Sequence, residues 1–265
     1  MITISILSVN TAKAKGVFVA IVDEADLSPI NGNEINSIRL KDKIFKTTCT
    51  YEAGIEYLKK SAIEQGANLV KITGHKKPDG FNNCHRFDAI YYKVEHPRTY
   101  EKEILWSEKR MLEWEDFRAE KQPHAYNAVA LTYCGIQYSV KALTSLYGSK
   151  TNYVVKCIFY PEKSWATTDS AQRTDDVLKH EQKHFDLCEV YARRLYKELT
   201  NTKINAFNMD DANAVYQRIM KEYEERQYLY DEETHNTTNY QDVQKKWDED
   251  IARELAELNE YAIRN

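Results

Sequence analysis

The chain has 265 residues, of which 42% are hydrophobic and 29% charged, with a net charge of −4. That length allows one or two domains with a real core, and the apolar content excludes a disordered chain. A mildly acidic chain without a basic run longer than a couple of residues lacks the stripe that displaces counterions from nucleic acid. No segment approaches the roughly 18 consecutive apolar residues of a membrane span.

In chain order, "MITISILSVN" has an apolar run with no Lys or Arg before it and no clear small-residue cleavage site, so it makes a poor signal peptide. "GVFVAIVDEADL" reads as a β-rich run and "EAGIEYLKKSAIEQG" as a short helix closed by Gly66. "ANLVKITG" follows as a strand, "KKPDGFNNC" as a turn by its Pro-Asp-Gly chemistry, and "RFDAIYYKV" as an alternating strand. These elements predict a small α/β module over residues 1–95. Its texture resembles small bacterial envelope modules of the lipoprotein type. "EHPRTYEKEIL" carries a proline in a polar run and marks a linker over 96–108.

The remainder, 109–265, opens with "LEWEDF", continues with the β-like runs "NAVALTYCGIQYSV" and "TNYVVKCIFYP", and then turns helical. Three helices are predicted, near Asp175–Leu199, Met209–Asp231 and Asp242–Tyr261. Thr174 stands as N-cap of the first, and Asn208 with Asp211 is spaced like a capping box at the second. The third carries Val243, Trp247, Ile251, Leu255 and Leu258 on one stripe. The expected fold class is α+β: a small N-terminal α/β module, then a short antiparallel sheet with three packed helices.

The chemistry concentrates in "VLKHEQKHFD", Val177 to Asp186. Residues four apart stack on one helix face, so His180 and His184 can aim two imidazoles at one ion. Glu181 is rotated about 100° from His180, placed to take a proton from water without ligating the metal. Three fixed letters in five arise by chance in on the order of one protein in a hundred of this length, so the surrounding helix has to weigh in. It does: Val177, Glu181, His184, Cys188, Tyr191 and Leu195 form one apolar stripe, which puts the motif on the inward side. Asp186 and Glu189 point elsewhere, toward solvent or an ion pair with Arg193 or Lys197. The third ligand must come from another element. On the second helix Tyr216, Ile219, Tyr223, Tyr230 and Glu233 keep helical spacing, and the stripe arrives at Asp231, Glu233 and His235, any of which is an acceptable zinc ligand. Tyr191 or Tyr230 is a candidate oxyanion stabiliser.

"LKHEQKHFDLCEVYARRL", the preceding "KSW", the upstream "LEWEDF" and the downstream "YDEET" and "QKKWDEDI" together resemble a family of uncharacterised bacterial proteins. That family is described as secreted zinc-dependent proteases with a His-Glu-x-x-His helix. The resemblance spans roughly residues 112–258 and implies a zincin-like domain, one Zn2+ ion and a peptide or protein substrate. It also implies an envelope or secreted location. In it His180 and His184 correspond to zinc ligands and Glu181 to the base. Tyr230, Asp231, Glu233 and Thr234 match a downstream Tyr-Asp-x-Glu-Thr-x-His element. The family's histidine would fall at Asn236; this chain has His235, one position early, so His235, Glu233 and Asp231 all remain open as third ligand.

The functional expectation is a zinc metallopeptidase with Glu181 as general base. The alternative is a non-catalytic envelope or interaction protein with a structural or vestigial zinc site, whose N-terminal module would bind an unknown protein partner. Neither a Cys188 nucleophile nor serine chemistry has support, since no Gly-x-Ser-x-Gly occurs. The five cysteines suggest two disulfides, Cys49 with Cys84 and Cys134 with Cys157, with five reduced thiols as the alternative.

Overall fold

The structure, a computed structural model, describes residues 18–41, 50–79, 84–121, 128–143, 150–201, 209–235 and 237–262. It is an α+β protein of two compact units, residues 1–100 and 101–265.

The N-terminal unit contains strands β1 (Ala20–Val22), β2 (Gly32–Leu40), β3 (Leu69–Lys76) and β4 (Arg86–Val94), and helix α1 (Tyr51–Glu64). The sheet order is β1-β3-β4-β2, with β1 parallel to β3 and the other pairs antiparallel. Alternation along β4 sends Phe87, Ala89 and Tyr91 to the core shared with Leu58 and Ala62 of α1. Thr50 caps α1 by accepting from the Ala53 N–H at 3.2 Å, and Gly66, at φ +79°, turns the chain out of it. Strand β2 has no counterpart among the predicted elements. It is an edge strand with only Leu40 buried, so it has no apolar alternation to read.

Gly54 is required where α1 meets the sheet, because a Cβ there would stand 2.3 Å from Phe87. Gly54→Ala therefore should destabilise the protein by about 1–3 kcal/mol, despite alanine's better helix propensity. A lower urea midpoint checks this; an unchanged or higher one refutes it.

The C-terminal unit contains β5 (Ile104–Leu105), β6 (Ala130–Leu131), β7 (Cys134–Leu143), β8 (Lys150–Phe159) and β9 (Trp165–Ala166). Helices α2 (Asp175–Asn201), α3 (Met209–His235) and α4 (Tyr240–Glu257) follow. Strands β5-β8-β7 form one antiparallel sheet and β6-β9 a second. Among the described residues a core joins Val155, Cys157 and Phe159 of β8 to Phe185, Cys188 and Leu195 of α2. It extends to Tyr223 and Tyr230 of α3 and to Trp247 and Ile251 of α4. Residues 101–108 are built into this unit: Ile104 is buried in the core, and Trp106 donates its indole N–H to Asp186 at 2.9 Å.

Cys134 and Cys157 are free thiols, as is Cys188. The register explains why the expected second disulfide does not form. Cys134 faces Phe159 and Cys157 faces Ile136, so the two thiols are diagonal neighbours and not an opposed pair. Cys84 is disulfide-bonded; Cys49 lies outside the described residues.

Candidate metal centre

Helix α2 starts at the expected cap: the Thr174 hydroxyl accepts from the Val177 N–H at 3.3 Å, with Asp175 and Asp176 in the first turn. Counting from that start, His180, Glu181, Cys188, Tyr191 and Leu195 are buried and Val177 packs against the core. The opposite side of the helix is buried as well, and its polar residues are all engaged. Gln182 accepts from the Leu112 N–H and donates to Asp186, each at 2.8 Å, and Lys183 pairs with Asp186 at 2.8 Å. Glu189 pairs with Arg193 at 2.7 Å, and Arg193 also donates to the Leu255 carbonyl. The bonds that leave the helix, to Leu112, Leu255 and Trp106, fix the roll of α2 about its own axis, and with it the aim of both histidines.

The partner of the histidines comes from α3. Asp231 Oδ1 lies 3.1 Å from His180 Nε2 and 2.9 Å from His184 Nε2, and the two Nε2 atoms are 3.1 Å apart. These three side chains form a group that could hold a metal ion. Ligand atoms at 2.0–2.1 Å from a tetrahedral ion stand about 3.3 Å from one another, so this triangle needs only a slight expansion to accept zinc. Two imidazoles and a carboxylate suit zinc or another first-row divalent ion.

A second layer orients the group. Gln227 donates its amide N–H to the His184 carbonyl at 2.9 Å, which leaves its Oε1, 2.5 Å from His184 Nδ1, as an acceptor. His184 Nδ1 therefore carries a proton, and Nε2 is the atom offered to the cluster. Tyr230 stacks on His180 with centroids 4.6 Å apart and lies edge-on to His184 at 5.0 Å. Gln227 was not among the candidates from sequence. The available signal was its position, between the buried Tyr223 and Tyr230 on the same helical stripe.

Other candidates occupy different places. Glu233 accepts from the Trp247 indole at 2.9 Å. His235 donates from Nδ1 to the Asp231 carbonyl at 2.8 Å and stays exposed, outside the three-residue group. The Tyr230 hydroxyl is buried and donates to Gln244 at 2.9 Å, and Tyr191 is buried with its ring against Arg194 and Tyr223. Glu181 is 5% exposed, and its Oε2 has no hydrogen-bond partner among the described residues. A buried, unpaired carboxylate oxygen is costly, and beside two histidines it marks a place for a proton-bearing group.

Electrostatics bind the cluster together. Burial opposes a charge on His184, but the Asp231 hydrogen bond, with Glu181 and Gln227 behind it, lifts its pKa to about 9. Burial likewise would raise Asp231, yet His180 and His184 outweigh it and hold the carboxylate well below its usual range. In metal-free protein the raised His184 stabilises the fold below its unfolded pKa of ~6.5, and that contribution disappears as pH climbs to about 9. The depressed Asp231 stabilises above its unfolded pKa of ~3.9 and loses its contribution as pH falls below it. The urea midpoint of chelator-treated protein should therefore fall from pH 6.5 to 9 on the alkaline side and below ~4 on the acid side. Asp231→Asn should flatten both limbs; an unchanged profile would exclude the pair as their source.

The fold and this cluster thus define an α+β protein with a three-residue group able to hold a metal. Residues 116–239 match the model of a family described as bacterial protein of unknown function (DUF922). The matched stretch includes His180, His184 and Asp231. No curated protein and no solved structure matches the chain.

Proposed function

We infer that the C-terminal unit is a zinc-dependent metallopeptidase acting on polypeptide substrates. One observation carries the reading: His180, His184 and Asp231 converge on one point, with the buried Glu181 carboxylate near enough to act on His184 and its Oε2 unpaired among the described residues. Zinc held by these residues would polarise a carbonyl and lower the pKa of water. The remaining work falls to residues of the chain. Glu181 accepts the proton of the attacking water and returns it to the leaving amine. Gln227 keeps the His184 tautomer, and Tyr230 props His180 from beneath. Asp231 is about half exposed whereas both histidines are nearly covered, so a substrate reaches the group from the α3 side.

Two histidines and one carboxylate also serve non-haem iron in oxygen chemistry. Glu181 favours hydrolysis, because a base beside the metal has a defined task there. Elemental analysis of the purified protein, alongside hydrolysis of a pool of internally quenched peptides of mixed sequence, tests the reading. One zinc per chain and cleavage inhibited by chelator are expected; stoichiometric iron, or zinc without cleavage, would overturn it.

A further inference from the structure

His235 ends α3, one turn beyond Asp231, and belongs neither to the metal-holding group nor to the core. Its Nδ1 lies 2.8 Å from the Asp231 carbonyl oxygen. A carbonyl only accepts, so Nδ1 bears the proton, and in the neutral ring Nε2 carries the lone pair. The ring meets that of His180 edge-on, with centroids 5.2 Å apart, and its side chain is 66% exposed. Among the described residues named as candidates, none offers a comparable group. Tyr230 and Tyr191 are buried, and Gln227 is spent on His184. A hydrogen-bond acceptor of fixed tautomer thus stands on the open side of the cluster, next to a metal-holding histidine.

We propose that His235 is a substrate-binding residue, whose Nε2 accepts a hydrogen bond from a backbone N–H of the bound polypeptide beside the carbonyl presented to the metal. This role rests on the metallopeptidase reading and differs from metal ligation. The N–H groups flanking a scissile bond are the donors a peptide always provides, whatever its side chains, so one acceptor beside the metal suits a polypeptide.

The test compares wild type, His235→Ala and His235→Gln, since glutamine places an acceptor oxygen near the position of Nε2. Zinc affinity is read by competition with a chromophoric chelator, and kinetics with the quenched peptide pool. Alanine should leave zinc affinity within about twofold and lower kcat/KM roughly tenfold, mainly through KM, as loss of one hydrogen bond predicts. Glutamine should recover most of that loss. A fall in zinc affinity beyond tenfold with alanine would make His235 a ligand and overturn the proposal. Unchanged kinetics with alanine, or glutamine as poor as alanine, would overturn it while leaving the peptidase reading intact. A wild type that holds zinc and cleaves nothing defeats both.

Discussion

Replacing Asp231 with alanine will abolish stoichiometric zinc binding, although Asp231 belongs to a different helix from the two histidines. His180 and His184 alone leave an ion with two protein ligands, whereas structural and catalytic zinc sites take three or four. His184→Ala should have the same effect. Because Asp231 comes from α3 and the histidines from α2, the ion would clamp the two helices, and its binding energy adds to that of folding. Free zinc at a thousandfold over Kd would contribute about 4 kcal/mol. For a protein of this size that corresponds to a rise in Tm on the order of 10 °C. Elemental analysis and differential scanning calorimetry with and without chelator measure both quantities. Full zinc occupancy in Asp231→Ala would remove Asp231 from the site. A Tm indifferent to zinc in the wild type would remove the clamp.

Glu181→Gln separates holding the metal from using it. Glutamine keeps the size and the buried position of Glu181 but cannot take a proton, so zinc should remain at one equivalent while kcat falls about 10²–10⁴-fold. The Glu181 charge also helps hold His184 protonated, so in metal-free protein the neutral amide should weaken the part of the stability that is lost as pH climbs to about 9. A variant that loses zinc would make Glu181 a ligand. A variant that hydrolyses peptides at the wild-type rate would end its role as base.

Much of the site is legible in the sequence. The spacing of His180, Glu181 and His184 is a property of helical geometry, and the stripe from Val177 to Leu195 marks the face that meets α3, although the opposite face of α2 is buried too. The cap at Thr174 was equally local: a hydroxyl three residues before an amide it can accept from. Strand β2 was invisible for the opposite reason. An edge strand with one buried residue is held by backbone bonds to β4, and backbone bonds leave no side-chain signature.

The third member of the metal group shows where local reading stops. Ending the second predicted helix at Asp231 leaves Asp231, Glu233 and His235 equally available. The helix in fact runs to His235, and at 100° per residue Glu233 is then turned about 200° from Asp231, onto Trp247 of α4. Asp231 and His235, four apart, share a face, and helix phase cannot choose between them. That choice depends on how far along α3 the closest approach to α2 falls. It is decided by the packing of Tyr223, Gln227 and Tyr230 against α2, contacts between residues more than thirty positions apart. The chain's own periodicity thus specified the helix and two imidazoles on one face with a carboxylate beside them. Only the crossing of α2 and α3 brought the Asp231 carboxylate to the pair and left His235 on the rim, because side-chain reach across a helix interface is set by tertiary contacts and not by spacing along one helix.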